Sequence, residues 1–183
     1  RRLVNDQPGR VGVERLHPHF AGGDYYDNPS WPDAGLGLAR RIAHTTYRAA
    51  GDLDSRFGRD PRAEREARSG GYAVESYLDH HAAKLVSRFD PNSYLVLTDA
   101  MNRHDVGRDR GGIVAALGRV RAATTVVAVS SDRLYLPQQS AELAQAIPDA
   151  ALEIISSTAG HDGFLIDSAG VGEVTSRLLL RSA

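Results

Sequence analysis

Apolar residues recur along this chain in two different rhythms. From Gly35 to Ala50 the helical spacing places Leu38, Ile42 and Ala43 on a core-like stripe. A second helix is predicted from about Val74 to Arg88, with Tyr77, Leu78, Leu85 and Val86 apolar. Asp90-Pro91-Asn92 stops it, and a third helix runs from Ser93 to about Arg103. Gly107 to Gly112 reads as a hinge. Beyond it the rhythm changes to helix (113–119), strand (124–130), helix (138–147), strand (151–156), loop, and a final helix over 168–181. That is β-α-β punctuation, which predicts two parallel strands joined by a crossover helix. Residues 1–34 are rich in Gly, Pro, Asp and aromatics and read as irregular. Residues 51–71 are dense in charge and read as a solvated arm or short exposed helix. Parallel sheets normally have several strands and two covered faces. The two strands are therefore expected to join a larger sheet with members outside these residues.

Composition narrows the classes. An apolar share of 42% over 183 residues supports a buried core. A net charge of −1 gives no basic field for nucleic acid or anionic lipid. There is no cysteine, which excludes disulfides and thiolate metal sites. No apolar run approaches the roughly 18 residues of a membrane span, and no charged-then-apolar leader opens the chain. Neither a membrane nor a nucleic-acid partner is expected.

Candidate chemistry gathers after the two strands. Asp132 follows Thr124 to Ser131, and His161 follows Ala151 to Ile155 and a polar turn. An acid after one strand and a histidine after the next supply two members of a Ser-His-Asp triad, in the chain order of hydrolases on parallel sheets. A carboxylate at Asp132 can accept from His Nδ1–H, fixing the tautomer. It can equally cap the helix opened by Pro137, or a turn. Glycines flanking His161 suit a tight loop that presents the ring to a cleft. No G-x-S-x-G elbow occurs. Ser69 follows a charged stretch rather than a strand, and Ser168 comes after the histidine and reads as a helix cap. On the first helix Arg40, His44 and Tyr47 share one face. Spacing alone makes them a solvated polar face; a guanidinium and a phenol there could also grip a carboxylate. His80-His81 and His104-Asp105 read as helix-surface residues rather than metal ligands.

Several of these segments resemble the homoserine O-acetyltransferase family. They are Gly22-Gly23-Asp24-Tyr25-Tyr26, Arg40 to Tyr47, Val74 to Leu78, Arg88 to Leu95, Ser131 to Pro137 and Gly160 to Leu165. The resemblance runs from about residue 20 to the end, with the motifs in order. It implies an α/β class, specifically a fragment of an α/β-hydrolase fold. Residues 1–110 would be the helical lid, with an irregular start. Residues 111–183 would be the C-terminal part of the core, with its last two parallel strands and helices. By the same resemblance Asp132 and His161 fall on the triad acid and base. Arg40 and Tyr47 fall on lid residues that hold homoserine's carboxylate, and Asp162 on a residue that contacts homoserine. The implied reaction is acetyl transfer from acetyl-CoA, a co-substrate, to the hydroxyl of L-homoserine in methionine biosynthesis. It would proceed through a Ser acyl-enzyme whose Ser is not in this chain. No permanently bound cofactor and no metal are implied. A cytoplasmic homodimer joined through the lid helices is. The alternatives are homoserine succinyl transfer, serine acetyl transfer, hydrolysis on the same fold, and a non-catalytic lid or dimerisation fragment.

Overall fold

The computed structural model describes residues 17–61 and 71–181. Ser69, with the rest of 62–70 in the expected charged arm, lies outside the described residues, whereas 51–57 of that arm are helical. The described residues form two compact units, one holding the residues up to Thr46 together with Leu53–His104, the other Tyr47–Asp52 together with Asp105 onward.

The first unit is helical. A 3₁₀ turn at Pro18–Gly23 leads to α1 (Asp33–Tyr47), α2 (Ala50–Phe57), α3 (Ala73–Val86) and α4 (Pro91–Arg103). The terminal residues Tyr47 of α1 and Ala50–Asp52 of α2 belong to the second unit. Close approach of α1 and α3 rests on small residues. Leu36, Ala39 and Ala43 are buried on α1, Ala82 and Leu85 on α3, and a Cβ at Gly37 would already touch Ala82 and Val86. Leu38, expected on the core stripe, is exposed instead, because the buried face turns through Leu36 and Ala39. Arg41 pairs with Asp79 at 2.8 Å across the same two helices.

The start of α4 is a polar lock. Pro91 opens the helix, and Asp90 caps it by accepting from Ser93 N at 2.7 Å. The fully buried Tyr25 donates to Asp90 Oδ1 at 2.5 Å and accepts from Asn92 N at 2.9 Å. Asn92 Nδ2 donates to Gly23 O at 2.8 Å. The irregular start is thereby fastened to a helix nearly seventy residues later. Burial, and then the Asp90 carboxylate, push the Tyr25 phenol well above its ordinary pKa. Burial opposes ionisation of Asp90, but hydrogen bonds from Tyr25, Ser93 and Tyr26 outweigh it and hold that carboxyl below its usual value.

The second unit carries the sheet. Gly107–Gly112, expected as a hinge, is a tight turn closed by Gly112 N to Gly107 O; a Cβ at Gly107 would meet backbone at 2.6 Å. Then come α5 (Ile113–Leu117), β1 (Thr125–Val129), α6 (Pro137–Ala146), β2 (Ala151–Ile155), a 3₁₀ turn (Gly160–Asp162), α7 (Gly163–Ile166) and α8 (Ser168–Arg181). The strands are parallel, in register from Thr125 with Ala151 to Val129 with Ile155. Pro137 opens α6 as expected. Ser168 is the first residue of α8 rather than its cap; the Asp167 carboxylate accepts from Gly170 N at 2.9 Å. A carboxylate suits the positive end of the helix better than a hydroxyl.

Candidate active site

The chain leaves both strands at the same end of the sheet, since the strands are parallel. Ser130, Ser131 and Ser157 lace these two exits together. Ser131 Oγ donates to Ser157 O at 2.5 Å and accepts from Gly160 N at 3.0 Å, while Ser130 Oγ accepts from Ser157 N at 3.2 Å. The loop after β2 is thus held against the loop after β1 by side chains that flank Asp132 in sequence.

Asp132 is 7% exposed and each of its oxygens has a different task. Oδ1 accepts from Leu134 N at 2.7 Å and Tyr135 N at 3.0 Å. Oδ2 lies 2.9 Å from His161 Nδ1. The turn-capping and histidine-orienting readings of this residue therefore hold together. Two backbone N–H groups fix the carboxylate, and its other oxygen meets the ring. With Nδ1–H donating to Asp132, a neutral imidazole has its lone pair on Nε2, the nitrogen that can take a hydroxyl proton.

His161 sits in the 3₁₀ turn between two constrained glycines. Gly160 has φ +71°, and a Cβ there would lie 2.4 Å from Tyr47 O and 2.6 Å from Ala49 N. A Cβ at Gly163 would lie 2.6 Å from Val129 Cγ1. The turn bearing the histidine is pressed between the α1–α2 junction and the end of β1. Three aromatic rings surround the imidazole: Tyr47 at 5.4 Å, Tyr135 at 5.0 Å and Phe164 at 5.8 Å between centroids. Burial, followed by Tyr47 and Asp132 nearby, raises the Tyr135 phenol above its ordinary pKa.

Tyr47, Asp132, His161 and Asp162 lie in the second unit, and Arg40 in the first, half-buried on α1. His44, on the same α1 stripe, is buried, stacked on His81 at 4.0 Å and 3.3 Å from the Tyr77 hydroxyl. That stripe is not a solvated face. His81 is likewise half-buried rather than on the surface, because α1 covers it. His80 is exposed. Among the described residues no group of three or more His, Asp or Glu side chains is arranged to hold a metal, and no helix is long and apolar enough to cross a membrane.

Sequence reasoning missed Tyr135, Ser131 and Arg48. Arg48 is buried, with Nη2 2.7 Å from Asp52 Oδ2 and Nη1 3.6 Å from Asp162 Oδ2. Its only signal was a cation directly after Tyr47 with an acid four residues on.

No family model matches the chain. It is 55% identical over 168 residues to a homoserine O-acetyltransferase from Thermobifida fusca, covering 90% of this chain and 44% of the relative. It is 46% identical over 185 residues to one from Mycolicibacterium paratuberculosis, covering 98% and 47%. The chain spans about half the length of the curated relatives it matches. Among solved structures it superposes on a homoserine O-acetyltransferase from Bacillus anthracis with a TM-score of 0.80 at 20% identity, covering 97% of this chain and 49% of that one. It superposes on an acetylester hydrolase from Corynebacterium glutamicum with a TM-score of 0.73 at 26% identity, covering 93% and 47%. The fold is that of part of an α/β-hydrolase, with β1 and β2 as neighbouring parallel strands of the sheet.

Proposed function

We propose that this chain, which belongs to the homoserine O-acetyltransferase family as a counterpart of its C-terminal half, forms part of an enzyme that acetylates the side-chain hydroxyl of L-homoserine. The observation that carries the reading is the 2.9 Å bond from His161 Nδ1 to Asp132 Oδ2, between loops leaving adjacent parallel strands. Sequence similarity to enzymes named for that reaction supports the choice of substrate.

The acyl donor in this reading is acetyl-CoA. A serine outside these residues attacks the thioester carbonyl while His161 Nε2 takes its proton. Collapse of the tetrahedral intermediate releases CoA as the thiol, protonated by the imidazolium, and leaves an acyl-serine. The homoserine hydroxyl then attacks this ester as His161 takes its proton, and the proton returns to the serine as O-acetylhomoserine leaves. Asp132 keeps Nδ1–H oriented and stabilises the imidazolium in both halves. Arg40 and Tyr47 hold the acceptor's carboxylate, and Asp162 its ammonium. No bound cofactor or metal is required. The protein is proposed to act as a cytoplasmic homodimer joined through the lid helices, supplying O-acetylhomoserine to methionine biosynthesis.

The test is product analysis by mass spectrometry, with the full-length protein given acetyl-CoA or succinyl-CoA and homoserine or serine. The reading predicts O-acetylhomoserine as the dominant product. Dominant succinyl transfer or serine acetylation would replace the donor or acceptor. A second reading, hydrolysis, is favoured by the likeness to an acetylester hydrolase. Thioester cleavage at the same rate with and without homoserine would select it.

A further inference from the structure

Arg48 carries a role that the reaction above leaves unassigned. It stands between α1 and α2, and its side chain is 9% exposed. A guanidinium so buried needs compensating charge. Asp52 supplies it at close range: Arg48 Nε and Nη2 both reach Asp52 Oδ2, at 2.8 and 2.7 Å. One carboxylate balances the cation, yet a second faces it. Asp162 Oδ2 lies 3.6 Å from Arg48 Nη1, within ion-pair range and beyond hydrogen-bond length. The arginine therefore attracts Asp162 without occupying its acceptor sites.

Two carboxylates thus face the one guanidinium. Asp162 is the more exposed of them, at 24% against 13% for Asp52. Asp162 is also bonded in sequence to His161, in a turn that Gly160 packs directly onto the backbone of Tyr47 and Ala49. Backbone contact and ion pair thus fix this carboxylate next to the base.

We infer that Arg48, braced by Asp52, is a positioning residue that sets Asp162 as the seat for the acceptor's ammonium group. The inference rests on the proposed acceptor and deepens it. Arginine is required for its geometry: the fork serves Asp52 with two nitrogens and presents the third to Asp162, which a lysine ammonium cannot do.

The test compares homoserine with 4-hydroxybutyrate, the same acceptor without its ammonium group, in the full-length enzyme. Arg48→Met is expected to lower kcat/KM for homoserine by about tenfold or more, mostly through KM, as Asp162 loses its orientation. Turnover of 4-hydroxybutyrate and the acceptor-independent burst of thiol release are expected to change by less than about threefold, so that selectivity for the ammonium collapses. Arg48→Met added to Asp162→Asn is expected to do little more than Asp162→Asn alone. Should Arg48→Met fail to fold, Asp52→Asn reads the same effect, because the freed guanidinium then pairs fully with Asp162 and blunts the seat. Unchanged selectivity in a folded variant overturns the inference alone, as does equal loss with both acceptors. A wild-type enzyme with no homoserine-dependent transfer overturns the proposed function and this inference together.

Discussion

Asp132 shows how much a single side chain can settle. Its Oδ1 is held by two backbone N–H groups, so Oδ2 reaches His161 from a fixed position rather than from a free rotamer. Asp132→Asn keeps the shape and one acceptor, but it removes the charge that stabilises imidazolium. In the full-length enzyme kcat is expected to fall by about 10²–10⁴-fold with the acceptor KM little changed; an unaltered kcat would deny Asp132 its role. At this scale the sequence was readable where a residue's place follows from strand punctuation, as with Asp132 and His161. Arg48 was not readable, because a buried arginine at a helix junction looks the same in sequence as a solvated one. Tyr135 was passed over for a related reason: only the turn that Asp132 caps brings its ring to His161.

Elements with a clear period lie within a residue or two of their predicted bounds, save the end of α1, at Tyr47 rather than Ala50. The strands over Thr125–Val129 and Ala151–Ile155 follow from β-branched runs bounded by polar turns. On α1 Ala43 is buried as its spacing predicts, but Leu38 is not, since Gly37 makes the close approach to α3 and small residues leave little hydrophobic signal. Contacts between distant segments were not visible at all, such as Gly160 against Tyr47. Gly160→Ala combines a positive φ with overlap onto immovable backbone. It is expected to destabilise the protein by about 2 kcal/mol or more, lowering Tm and activity together; a wild-type Tm would contradict the packing. The Tyr25–Asp90 lock makes a pH prediction. The Tyr25 pKa is raised on folding, so its contribution is complete below the unfolded value of about 10 and is lost as pH climbs past it. The Asp90 pKa is lowered, so its contribution is complete above about pH 4 and is lost on acidification below that. Tyr25→Phe should lower stability near neutrality by about 1–3 kcal/mol and flatten the alkaline fall in Tm. An identical alkaline limb in the variant would exclude Tyr25 as its source.

At the scale of the molecule, the second unit presents a sheet whose cover is partial. Leu152 and Ile154 on one face of β2, and Val127 on the opposite face of β1, remain exposed, where parallel strands are ordinarily buried on both sides. Under the proposed function, the acid and histidine paired here work with a serine from outside these residues. In the proposed enzyme His161 is the base. The most direct measurement is the steady-state rate of O-acetylhomoserine formation by full-length wild type and His161→Ala, with circular dichroism verifying the fold of each. A folded His161→Ala variant is expected to lose about 10³-fold or more in kcat; turnover within a few-fold of wild type would deny His161 the role of base.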